Sequence, residues 1–87
     1  MNVFFHGKID AGFSVLKAKI ESDMAGPMGQ WVTEYRLADL GGGECMCAMN
    51  VTNMEELGKF MSDPAELKWD QDNGANYKAY MMQEMEG

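Results

Sequence analysis

The chain has 87 residues and a formal net charge of −7, from 7 basic against 14 acidic side chains. Nucleic acids and anionic membranes both demand clustered Lys and Arg, and the few basic residues here are scattered, so neither partner is expected. No stretch approaches the roughly 20 apolar residues of a membrane span. The first residues also lack the basic and apolar regions of a signal peptide, so the expected location is the cytoplasm.

A chain this short is expected to form a single domain spanning residues 1–87. A monomer of this size buries only about 60 to 65% of its unfolded surface, so association would add stability. Val3-Phe4-Phe5-His6-Gly7-Lys8-Ile9 opens the chain, with mainly apolar odd positions and polar groups at two even ones, which predicts a strand with two unlike faces. Asp10 starts a turn. Phe13, Leu16, Ile20 and Met24 then recur at helical steps, and Gly26-Pro27 predicts the helix end.

Trp31 to Ala38 alternates again, and Gly41-Gly42-Gly43 separates it from Cys45-Met46-Cys47-Ala48-Met49-Asn50-Val51, which predicts an antiparallel hairpin. With Leu40 opposite Glu44, Tyr35 falls opposite Met49, Leu37 opposite Cys47 and Arg36 opposite Ala48. Thr52-x-x-Glu55 and Asn53-x-x-Glu56 are overlapping capping boxes before Leu57, Phe60 and Met61. Asp63-Pro64 restarts the chain as N-cap and first helical residue, and the short helix through Leu67 and Trp69 is expected to end by Asn73-Gly74. A last strand runs from Tyr77 to about Met85, with Tyr77, Ala79 and Met81 on one face and Lys78, Tyr80, Met82 and Glu84 on the other.

This βαββαβ order, the size, and the segment Phe60-Met61-Ser62-Asp63-Pro64-Ala65-Glu66 followed by Gly74 and a Tyr-rich last strand resemble the ferredoxin-like dimeric α+β barrel superfamily. That group includes proteins similar to antibiotic-biosynthesis monooxygenases and many small uncharacterised bacterial members. The resemblance implies an α+β fold, a four-stranded antiparallel sheet of order 4-1-3-2 with its helices on one face, and a homodimer formed by the bare faces of two sheets. It also implies a cleft between helices and sheet that takes aromatic or polyketide-like molecules.

The residues can be sorted onto those two faces. Val3, Phe5, Ile9, Trp31, Tyr35, Leu37, Cys45, Cys47, Met49, Val51, Ala79 and Met81 make a nearly continuous apolar surface, assigned to the core beneath the helices. Phe4, Val32, Met46, Ala48, Tyr80 and Met82, with His6, form the expected dimer interface, because an apolar cluster on a small protein marks a contact surface. Lys8, Glu34, Arg36, Asn50, Lys78 and Glu84 provide its polar rim.

For a ligand wall the candidates are Trp31, Tyr35 and Trp69, with Phe13 and Phe60 nearby; the favoured alternative is that these rings are simply the core of a small domain. His6, the single histidine, is either an acid/base group or a seam residue that hydrogen-bonds a neighbour. Cys45-Met46-Cys47-x-Met49 invites a copper(I) reading, but Met46 points away from both thiols on a strand. No metal site, catalytic set or flavin, haem or nicotinamide signature is assigned, so no cofactor is expected. Three function classes remain: a binding or structural dimer for a small apolar or aromatic ligand, a cofactor-independent monooxygenase or isomerase, and a protein-interaction module.

Overall fold

A computed structural model describes residues 1–83 and 85 of the chain. Strand β1 (Val3–Ile9) leads into helix α1 (Phe13–Ala25), a 3-10 turn (Pro27–Gln30) and the hairpin of β2 (Val32–Gly41) and β3 (Glu44–Val51). Helices α2 (Met54–Met61) and α3 (Pro64–Asn73) then precede β4 (Ala75–Met81). The four strands form one antiparallel sheet in the order β2-β3-β1-β4, the expected order read from the other edge. This is the ferredoxin-like α+β fold.

Local chemistry explains the punctuation. Gly26 ends α1 and its N–H donates to the Ser22 and Asp23 carbonyls, while Pro27 at the start of the next turn prevents continuation. Of the two candidate N-caps of α2, Asn53 serves: its Oδ1 accepts from the Glu56 N–H at 3.1 Å. Asp63 caps α3 by accepting from the Ala65 N–H, Pro64 takes the first turn, and Gly74 closes the helix in the left-handed conformation that glycine adopts without penalty.

The buried core lies between sheet and helices and is built from Val3, Cys47, Met49 and Val51 of the sheet against Ile20, Met28 and Leu57. Leu57 is 3% exposed and anchors α2; burying a side chain of that size stabilises by about 1.5 to 3 kcal/mol.

Three expectations need correction. Val32 is not on the open face: it is 1% exposed and part of the core. A register shift between Val32 and Glu34 inserts Thr33 as an extra residue, so parity reverses at the strand's start. Leu40 is likewise an extra residue, since Asp39 pairs with Cys45 and Gly41 with Glu44; Gly41, Gly42 and Gly43 all have positive φ and permit that tight bulged turn. Ala79 and Met81 share the helix-side parity of β4 yet are exposed, Met81 to 81%, because this edge strand runs past the helices.

Gly7 holds β1 and β4 close together. A Cβ at this position would strike the backbone of Asn76 and Tyr77. Gly7→Ala is therefore expected to lower stability by about 1 to 3 kcal/mol, as overpacking does. Urea unfolding, with amide exchange confirming the loss in β4, measures it.

Candidate functional site

Small residues on the helix-facing side of the sheet create the site. Gly7 pairs with Cys45 on one side and Tyr77 on the other, and Ile9 pairs with Ala75. Where larger residues would fill the space beneath the helices, Gly7, Cys45, Cys47 and Ala75 leave a cavity of about 120 Å³. Phe5, Ile9 and Met49 complete its floor, Leu16 and Ile20 of α1 form one wall, and Phe60, Met61 and Trp69 form the other.

The opening is polar. Lys19 of α1 reaches α3 through Glu66, with Nζ donating at 2.9 and 2.7 Å to its carboxylate oxygens, and donates at 2.7 Å to both oxygens of Asp23. Its ammonium also lies 5.5 Å from the Trp69 ring centroid and 5.9 Å from that of Phe60, within cation–π range. Burial disfavours this charge, but the hydrogen bonds and attraction of Asp23 and Glu66 outweigh it and hold the Lys19 pKa above its ordinary value. The Lys19 side chain is 16% exposed, so the triad ties α1 to α3 with little solvent screening.

Beside this triad stands a second polar pair. Tyr77 Oη donates to Asp70 Oδ2 at 3.4 Å, and the Tyr77 ring meets Phe5 edge-on at 5.7 Å. Burial, followed by repulsion from Asp70, pushes the Tyr77 phenol up to about 12. Burial likewise raises the Asp70 carboxyl, against the opposing hydrogen bond from Tyr77. On the floor, burial carries Cys47 to about 12 and also raises Cys45, so both thiols stay protonated and unreactive near neutral pH.

Of the five rings proposed as a ligand wall, the structure brings Phe60 and Trp69 to the cavity and leaves Trp31, Tyr35 and Phe13 outside its lining. Trp31 packs on Phe60, with ring centroids 6.0 Å apart, and Tyr35 packs against the core beneath β2. The floor is thus made by small and sulfur-bearing side chains rather than rings. Its signal was present in the sequence as small residues at odd positions, which parity brings side by side.

The opposite face carries the remaining candidates. Phe4 lies between Ala48 and Tyr80, its ring 6.0 Å from the tyrosine's, and His6 lies between Met46 and Lys78. Tyr80 and Met82 are exposed, and Phe4, His6, Met46 and Ala48 are half-buried. At the rim Arg36 pairs with Glu34 at 2.6 Å, and His6 Nε2 lies 3.6 Å from Glu44. Met46 is on this face, away from the two buried thiols, and Glu84 lies outside the described residues.

No protein-family profile matches the sequence, and no curated protein matches it. Among solved structures the chain is similar to a Deinococcus radiodurans protein provisionally named an antibiotic biosynthesis monooxygenase. The two are 14% identical, with 98% of this chain and 96% of that one covered and a TM-score of 0.48. At that identity the likeness says nothing of ligand or activity. No helix among the described residues is long and apolar enough to cross a membrane.

Proposed function

We propose that this chain is a small dimeric α+β barrel protein that holds one small apolar or aromatic molecule between its helices and its sheet, without catalysis. The observation that carries the reading is the apolar cavity of about 120 Å³ roofed by Phe60 and Trp69. An apolar cavity of about 150 Å³ is known to accept benzene, so this space suits a single ring whose substituent projects through the opening. A binding role without chemistry is supported by the floor, where the two thiols are held protonated, and by strand parity, which turns the His6 ring to the other face, beside Glu44, although the residue borders the cavity.

Dimerisation is supported by the uncovered apolar centre formed by Phe4, Met46, Ala48, Tyr80 and Met82, ringed by charge. A cytoplasmic setting is supported by two free cysteines in a chain of this size. Toluene and benzyl alcohol are the direct probes. Both are expected to quench Trp69 fluorescence and to shift the amide signals of Phe5, Cys47 and Met49, and Cys45→Leu, which fills the floor beside Gly7, is expected to abolish both responses. If neither these neutral rings nor a charged analogue such as benzylamine perturbs these signals in the unmodified protein, the binding reading is wrong.

A monooxygenase or isomerase reading would draw on Asp70, whose carboxyl pKa burial raises and whose partner is the Tyr77 phenol. It predicts chemical conversion of a bound aromatic, lost in Asp70→Asn. Binding alone predicts recovery of the probe unchanged.

A further inference from the structure

The polar opening is unbalanced. Asp23, Glu66 and Asp70 place three carboxylates there against the single ammonium of Lys19. The lysine is fully engaged, since its short hydrogen bonds all go to Asp23 and Glu66. Among the described residues the Asp70 side chain receives one hydrogen bond, the long one from a neutral phenol. The other basic residues of the lining, His6 and Lys8, lie opposite Lys78 and Asn76 in the strand register and have the parity of the opposite face, where the His6 ring lies 3.6 Å from Glu44. A carboxylate at the edge of an apolar cavity whose nearest countercharge, Lys19, is already hydrogen-bonded to two other carboxylates is undercompensated, and an arriving cation relieves it.

The opening also shows how it receives an ammonium. Lys19 Nζ occupies a seat made of carboxylate oxygens on two sides and the faces of Phe60 and Trp69 nearby. Trp69 and Asp70 both line the opening, so an aromatic surface and a carboxylate are offered to whatever enters.

We propose that the cleft selects a small aromatic amine, with the ring on the floor of Gly7, Cys45 and Cys47 and the protonated nitrogen at the opening against Asp70 and the Trp69 face. This rests on the cleft being a ligand site at all. An acidic ligand would add a fourth negative charge to the opening and is rejected. A neutral one would bury Asp70 further without compensating it.

Benzylamine, benzyl alcohol and benzoate share one ring and differ in charge at the position that would reach Asp70. Titrated at pH 7 and followed by tryptophan fluorescence, benzylamine is expected to bind roughly tenfold or more tightly than benzyl alcohol, as for a gained charge-assisted hydrogen bond, and benzoate more weakly than either. Asp70→Asn is expected to bring the amine-to-alcohol affinity ratio close to one. Rising salt is expected to lower the same ratio in the unmodified protein.

The variant should fold well. Burial raises the Asp70 pKa in the fold, so its ionised form opposes folding at neutral pH, and removing that charge leaves the thermal midpoint at pH 7 no lower. Equal affinity for amine and alcohol, a preference for benzoate, or an amine preference that survives Asp70→Asn overturns the proposal while the binding reading stands. If benzyl alcohol and benzylamine both fail to bind, the two fall together.

Discussion

Met46→Lys is expected to convert a dimer into a folded monomer, weakening association by at least about a hundredfold. Met46 lies on β3 between Ala38 of β2 and His6 of β1, near the middle of the uncovered face. A two-fold interface would bring this residue close to its own copy, so two buried ammonium groups would meet where two thioethers pack, and like charges juxtaposed in an interface oppose it by several kcal/mol. In the separated chain the same lysine points into water with Glu44 two residues away on its face, so the monomer tolerates it. Sedimentation equilibrium decides the matter. A native protein already monomeric at micromolar concentration, or a Met46→Lys variant that stays dimeric, would remove the barrel assembly from the reading.

Alkali should destabilise this protein progressively above about pH 9. The Cys47 thiol is carried from an ordinary value of 9.0 to about 12 by burial. Between those values the unfolded chain releases this proton and the folded chain keeps it. The native state therefore binds more protons, and stability falls as pH rises through the window. At about 1.4 kcal/mol per pH unit, the loss is on the order of 4 kcal/mol, a large share of the total for a domain of this size.

Cys45 and Tyr77 also carry raised values and act in the same direction, and Lys19 adds to it once its ammonium begins to discharge above 10.5. Urea unfolding midpoints measured from pH 8 to pH 11 should fall steadily, and Cys47→Ala should flatten the first part of the slope. At pH 8 a thiol reagent should modify Cys47 about a thousandfold more slowly in the folded protein than in urea. Fast modification in the folded state would refute the account.

The sequence was most legible where local chemistry is unambiguous. Alternation gave β1 its limits, Asp63 marked one helix start and the overlapping Thr52 and Asn53 signals the other, and the pairings of Tyr35 with Met49 and Leu37 with Cys47 hold although Leu40, expected opposite Glu44, is bulged out. It was least legible where one extra residue reverses parity, because nothing in Val32-Thr33-Glu34 announces a bulge. Only the neighbouring strand shows that Val32 must face inward beside Val51.

At β4 the failure had a different cause. Alternation tells which side Ala79 and Met81 take but not how far the helices extend above them, which depends on the lengths of α1 and α3. The cavity is hidden in the sequence because its large rings do not make it. Trp31 and Tyr35 are consumed in packing, whereas the opening in the core arises where side chains are missing, opposite one another at Gly7 and Cys45. A void is visible in a sequence only after the strands have been paired.

That origin makes ligand size an adjustable property of this scaffold. Since the room beneath the helices is set by four slight residues on a rigid floor, replacing Ala75 or Cys45 with Val would narrow it by a carbon atom or two without rerouting the chain. A lineage could thus drift from one guest molecule to the next through single substitutions while keeping the same outward shape.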